Sequence, residues 1–250
     1  MMDRPLLLGA HLEELRKRIL WVLLSVLFFS GVSFYFVNDL IRMLKWPAAG
    51  QIDTLAVFSP TAAILAYMKV ALTAGLVCAL PLCLYEAWMF ISPALGLRHI
   101  RNGVLFIFSG TLCFIVGAAF NFFVLIPASV KFLLSLGRGE LQYVISLESY
   151  ISFVLSLLLA GGLVFEMPIL AFVLSKYAIL TSTKMIGGWR IAAVFILVAA
   201  AVLTPTPDAV NMLLLSLPMF FLYLVCIGVA LFAEKNRTIS QSLKSKHESS

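Results

Sequence analysis

Long runs of apolar residues dominate the pattern along this chain. A helix that spans a membrane needs about 20 mostly apolar residues, and six runs stand out, of which the fifth is short. The predicted spans are residues 19–37, 62–84, 103–126, 150–174, 191–203 and 212–233. The pattern therefore predicts an all-α membrane protein with six transmembrane helices and no β-strands.

The residues before the first span predict an amphipathic helix. At about 100° per residue one narrow apolar stripe forms, made of Leu8, Leu12, Leu15 and Ile19. Glu13 and Lys17 lie on the opposite side, whereas Glu14, Arg18 and His11 lie along one edge of the stripe. The pairs Glu13–Lys17 and Glu14–Arg18 have the favourable i,i+4 order, worth roughly 0.2–0.5 kcal/mol each. Two interpretations stay open: a juxtamembrane anchor, or a carboxylate at Glu14 that binds a partner.

Composition and charge fix the class and the orientation. The chain is 62% hydrophobic and 12% charged, whereas a soluble domain carries about 25% charged residues. The loops and ends on one side of the predicted spans hold thirteen Lys and Arg residues, against four on the other side. By the positive-inside rule, both termini are predicted to be cytoplasmic. The basic residues are spread over several short segments, which does not indicate nucleic-acid binding.

The same reading divides the chain into three parts. Residues 1–18 are predicted to form a cytoplasmic amphipathic segment, and residues 19–233 a six-helix transmembrane domain. Residues 234–250 are rich in Ser and Lys and predict a disordered cytoplasmic tail.

Two ionisable residues lie within apolar spans. Glu166 is the stronger candidate, because an intramembrane carboxylate is costly and usually functional. The alternative is a carboxyl satisfied by backbone groups that Pro168 frees, or by a snorkelling cation. Lys69 near the external end of its span has the simpler interpretation of a snorkelling side chain. Together the two residues leave open an ion-coupled small-solute transporter.

Catalytic constellations are not predicted. The three histidines are His11, His99 and His247, which lie at the ends or in a loop, where they form no metal cluster or Ser–His pair within the spans. No metal site, cofactor or enzymatic activity is expected. Pro47 is predicted to form an interfacial turn, and Asp208 to cap the last span at its N-terminus.

Five motifs occur in an order and spacing that resemble the TatC family, the membrane receptor component of the twin-arginine protein translocase. They extend over about residues 8–233: HLxELRKR from His11, a Pro81 to Leu95 motif with Tyr85, Trp88, Phe90 and Pro93, SYISF from Ser149, FEMP from Phe165 and LTPxPD from Leu203.

The resemblance implies a concave single bundle in the cell (inner) membrane that binds twin-arginine signal peptides of folded proteins. It also implies self-association, partners of the single-span TatA and TatB type, and transport driven by the protonmotive force. Glu14 would hold the arginine pair and Phe90 would pack against the peptide, with Arg16 in the same motif. Glu166 would be the family's buried glutamate that faces the cavity. Pro93 would form the turn after the second span.

Two positions depart from the family pattern. The second arginine-binding glutamate is expected near His99 or Ile100, and neither residue is acidic; His99 is kept as a candidate contact. Leu224 stands where the family commonly has a glutamate. Glu86 lies one helical turn before Phe90, where the family commonly has glutamine. Glu86 either replaces the lost carboxylate or pairs with Arg98 or Arg101.

Overall fold

Helices account for nearly all of the regular structure in the computed structural model, which describes residues 8–50, 55–94, 100–135, 144–204 and 208–248. In chain order these helices are Leu8–Tyr35 (α1), Val37–Lys45 (α2), Pro60–Ala94 (α3), Ile100–Phe120 (α4), Ile126–Ser135 (α5), Leu147–Val164 (α6), Met167–Lys176 (α7), Ser182–Gly187 (α8), Trp189–Leu203 (α9) and Ala209–Glu248 (α10). Two short strands are Leu55–Ala56 (β1) and Ile145–Ser146 (β2).

Five helical stretches of the described chain are long and apolar enough to cross a membrane. They are Leu12–Tyr35, Pro60–Ser92, Gly103–Ser135, Leu147–Lys176 and Ala209–Lys235. Lipid offers backbone groups no hydrogen-bond partner, so such runs must bond internally as helices. The prediction of a multi-pass helical membrane protein is confirmed. The remaining apolar helix, α9, has only 15 residues.

Several helices continue beyond their predicted spans. A π-helical turn at Asn121–Leu125 carries α4 into α5, and α10 runs on to Glu248. The backbone after Glu234 is therefore helical, which differs from the disordered tail that its composition predicts. Extending an existing helix needs no new nucleus and adds one hydrogen bond per residue.

The expectation of a chain without strands is wrong in one place. β1 and β2 pair in parallel, with Leu55 opposite Ile145 and Ala56 opposite Ser146. Both strands come from segments between helices, where the exposed backbone groups of two separate connections satisfy each other.

The described helices group into two compact units, although the sequence has no boundary within residues 19–233. One unit holds α1 to α3, the strands, the first part of α4 and the start of α6. The other holds the end of α4, α5, the rest of α6 and α7 to α10.

Small and polar residues bring helices close together in the second unit. The buried Asn121 donates from Nδ2 to the carbonyl oxygen of Leu157 over 3.0 Å. Gly161 makes room for that amide, because an added Cβ would overlap it. A Cβ at Gly117 would lie 2.6 Å from Cγ of Phe165. These residues therefore serve ordinary helix packing in a membrane protein.

Candidate functional site

The packing of α1 against α3 sets up the first cluster of charged residues. Gly75 of α3 lies against Ser30 of α1 so closely that an added Cβ would overlap the serine. Farther along the same pair of helices, Arg18 of α1 contacts Glu86 of α3. The two helices therefore run antiparallel, and the start of α1 lies beside the end of α3.

One guanidinium joins two carboxylates at this end of the helices. Nη1 of Arg18 donates to Oε2 of Glu86 over 3.0 Å, and Nη2 donates to Oε1 of Glu14. The side chains of Arg18, Glu14 and Glu86 are 16%, 31% and 20% exposed. Charge-assisted bonds of this kind are the strong ones, and a guanidinium can serve two acceptors at once. We call these three residues the carboxylate pair and its arginine.

The neighbouring ion pair on α1 is different in kind. Nζ of Lys17 lies 3.1 Å from Oε1 of Glu13, and both side chains are about two-thirds exposed, at 70% and 67%. Both i,i+4 pairs predicted from the sequence are thus formed. Leu12 and Ile19 of the apolar stripe are exposed. The edge that carries Glu14 and Arg18, rather than the stripe, is the part of α1 that turns towards α3.

The partner of Glu86 is one that spacing does not reveal. Arg18 is 68 residues away in the chain, whereas the sequence suggested Arg98 or Arg101. Arg98, His99 and the side chain of Arg101 lie outside the described residues, so a pair of Glu86 with either arginine and the role of His99 both stay predictions. The structure brings Glu14 and Glu86 together, as the hypothesis of a substitute carboxylate requires.

Two other residues of the predicted site lie on the same helices. Phe90 is half-buried one turn after Glu86 on α3, and Arg16 is exposed on α1. Trp88 lies between Glu86 and Phe90 in the chain. It is buried against Phe106 of α4, with ring centroids 5.0 Å apart. The buried Trp88 fixes α3 against α4, which leaves Glu86 and Phe90 on a less buried face.

Glu166 lies at a break between α6 and α7. The helix is interrupted there and restarts at Met167, with Pro168 in its first turn. The Glu166 side chain is 9% exposed. It makes no capping bond, and its buried Oε1 has no hydrogen-bond partner among the described residues. The alternative in which freed backbone groups satisfy the carboxyl is therefore wrong for this oxygen.

Lys69 is not a simple snorkelling side chain. Its Nζ donates to Oε1 of Glu148 and to Oγ of Ser152, each over 2.9 Å. Both partners lie on α6 in the same unit as Lys69. Sequence reasoning missed this contact, because the only signal was a lysine in one span and a glutamate before another.

The predicted turn and capping residues lie at helix ends or breaks. Pro47 is buried in a 3-10 turn, Trp46–Ala48, that follows α2. Pro93 lies in the last turn of α3, and Pro168 in the first turn of α7. Asp208 accepts at Oδ1 from the backbone N–H of Asn211 over 2.7 Å, so the predicted cap of the last span is confirmed.

Comparisons with known proteins identify the family to which this arrangement belongs. A family model described as Sec-independent protein translocase protein (TatC) matches residues 10–218. The chain belongs to the TatC family. The match extends from α1 into the first part of α10 and includes the carboxylate pair and its arginine.

Individual TatC proteins match over most of their length. The Sec-independent protein translocase protein TatC of Koribacter versatilis is 36% identical over 91% of this chain and 86% of its own length. That of Aquifex aeolicus is 33% identical over 92% and 97%. A crystal structure of a twin arginine translocase receptor TatC is similar at a TM-score of 0.81 and 33% identity, over 89% of this chain and 99% of that one.

Membership of the TatC family settles the class of function. The chain is a multi-pass component of a Sec-independent protein translocase. That family transports proteins and is not one of enzymes. The small-solute transporter considered from the sequence is not favoured, since the two relatives and the structural neighbour named above are protein translocase components.

Proposed function

We propose that this chain is the receptor subunit of a twin-arginine translocase and binds the signal peptides of folded proteins. It does so in the cell (inner) membrane with six spans and both termini in the cytoplasm. Five long apolar stretches together with α9 supply the six spans. The excess of basic residues on one side supports the orientation of the termini.

The observation that carries this proposal is the meeting of Glu14 and Glu86 on one guanidinium. Two carboxylates from different helices already hold an arginine side chain. A signal peptide with consecutive arginines presents the same chemical group. Carboxylates are the natural partners of guanidinium, because the planar fork matches them geometrically.

The other predicted residues complete the site. Phe90, one turn from Glu86, offers an apolar surface for the residues that flank the arginines. Arg16 and His99 are assigned as further contacts of the signal peptide. In this site Glu14 is the first carboxylate, and Glu86 takes the place of the glutamate that is missing near His99.

Transport needs further components. We assign single-span partners of the TatA and TatB type, surrounding membrane lipid and self-association of this chain, with the protonmotive force as the source of energy. We assign Glu166 to a water-accessible cavity, because a carboxylate that faced lipid would be costly.

A site-specific crosslink tests the proposal. A photoreactive residue replaces the exposed Arg16, and the matched control replaces Arg42, an exposed arginine of α2. We expect a twin-arginine peptide to crosslink from position 16 but not from position 42. A peptide with both arginines changed to glutamine should not crosslink. Equal labelling by both peptides, or no labelling at position 16, would refute the proposed function.

A further inference from the structure

Arg18 lies between two like charges that come from different helices. Its guanidinium donates to Glu14 on its own helix and to Glu86 on α3. Without a cation between them, two carboxylates close enough to share one guanidinium would repel each other, and their side chains would turn apart. Arg18 is the only cation that the described residues place on both of them.

Each carboxylate keeps one oxygen for another donor. Arg18 uses Oε1 of Glu14 and Oε2 of Glu86. The second oxygen of each receives no hydrogen bond from the described part of the chain, and the Glu14 and Glu86 side chains are 31% and 20% exposed. An ionised carboxylate offers about four acceptor sites. A second guanidinium can therefore bind while the first one stays.

The charge balance leads to the same conclusion. Two carboxylates and one guanidinium leave the cluster with one negative charge, which one more arginine side chain would neutralise. The neighbouring Lys17 does not supply it, because its ammonium is paired with Glu13 on the exposed side of α1. The described residues thus leave the cluster with one negative charge that an external guanidinium would neutralise.

Displacement of Arg18 by an incoming arginine is the competing arrangement. Arg18 is the least exposed of the three side chains, and its Nε is buried without an acceptor among the described residues. Removing both carboxylates from it would strand a partly buried charge, which is strongly unfavourable. Retention breaks no existing bond.

We propose that Arg18 is a positioning residue, which holds Glu14 and Glu86 side by side so that they can receive a guanidinium from outside. This inference rests on the proposed function, since the external group is an arginine of the signal peptide. Arg18 stays in place during binding and acts only through the two carboxylates.

Peptide affinity separates the two arrangements. In detergent, a fluorescent twin-arginine peptide is titrated against the parent, Arg18→Gln, Arg18→Lys and the matched control Lys17→Gln. We expect Arg18→Gln to weaken binding about tenfold or more, because a displaced carboxylate loses its charge-assisted bond to the peptide. Arg18→Lys should recover part of the affinity, because lysine restores the positive charge but not the planar guanidinium that can serve two carboxylates. Lys17→Gln should change affinity less than about twofold, as expected for an exposed pair. Unchanged binding by Arg18→Gln would overturn the positioning role, and tighter binding would mean that Arg18 is a competing occupant.

Thermal unfolding gives a readout that needs no peptide. In the parent, Glu86→Gln removes a partner of Arg18 and should lower the melting temperature. In the Arg18→Gln background, the same change relieves repulsion from Glu14 and should raise it. A decrease in both backgrounds would overturn the positioning role. A parent that binds no twin-arginine peptide would instead refute the proposed function, and the melting temperatures would then decide the role of Arg18 separately.

Discussion

Lys69 of α3 and Glu148 of α6 form an ion pair, with 2.9 Å between Nζ and Oε1. The same ammonium donates to Oγ of Ser152 one turn farther along α6. These contacts connect α3 to α6 within the first unit, near the start of α3. Neither helix contains a local pattern that indicates the other as a partner.

We expect this pair to be coupled in stability. Lys69→Met should lower the free energy of unfolding by about 1–2 kcal/mol, since it leaves Glu148 and Ser152 without their donor. Adding Glu148→Gln should cost little more. A double-mutant cycle measured by thermal unfolding should give a coupling energy of about 0.5–1 kcal/mol, limited by partial exposure. Simple additivity of the two changes would contradict the pair.

Glu86→Gln should weaken binding of a twin-arginine peptide by about 1.5–3 kcal/mol, the value of a hydrogen bond to a charged group. Glu13→Gln is the matched control, because Glu13 is also a glutamate of this region but forms an exposed pair with Lys17. The effect of Glu86→Gln should disappear when one signal arginine is made neutral. If Glu86→Gln binds as tightly as the parent, Glu14 acts alone.

Glu166→Ala should impair transport while leaving folding near intact. The side chain makes no capping bond, and its Oε1 has no partner among the described residues, so removing it breaks no bond of that atom. Transport by reconstituted translocase and the melting temperature of the purified variant are measured together. A fully active variant would remove Glu166 from the mechanism. A large fall in melting temperature would instead make its role structural.

Gly75→Ala should separate α1 from α3 and damage the site at their ends. The new Cβ would meet Ser30 of α1, including its backbone, and overpacking of this kind costs about 1–3 kcal/mol. Gly31→Ala is the control on α1, since nothing lies within 4 Å of its added Cβ. We expect lower stability and weaker peptide binding for Gly75→Ala alone. Equal behaviour of the two variants would argue against close contact at Gly75.

The orientation of the chain can be read with a reporter. A fusion after Glu234 should report a cytoplasmic location, because thirteen basic residues lie on that side against four on the other. A second fusion after Lys45 should report the external compartment. Activity of the first fusion only outside the cytoplasm would reverse the predicted topology.

The sequence by itself determined the features that depend on neighbours within one helix. Apolar run length predicted the long spans and the shortness of α9, since lipid forces such runs to bond internally. The Glu13–Lys17 and Glu14–Arg18 pairs followed from the i,i+4 spacing, and the cap at Asp208 from its place before α10. Motif order predicted the TatC family, which the comparisons confirm.

The tertiary structure alone decided which side chains meet across helices. Among the described residues Arg18 pairs with Glu86, and Lys69 pairs with Glu148 and Ser152, because the packing register of one helix on another fixes these contacts. Periodicity shows on which face of its helix a residue lies, but not which residue of a neighbouring helix lies at the same level along the axis. This axial register is set by close approaches such as that of Gly75 to Ser30, which depend on the shape of both helices at once.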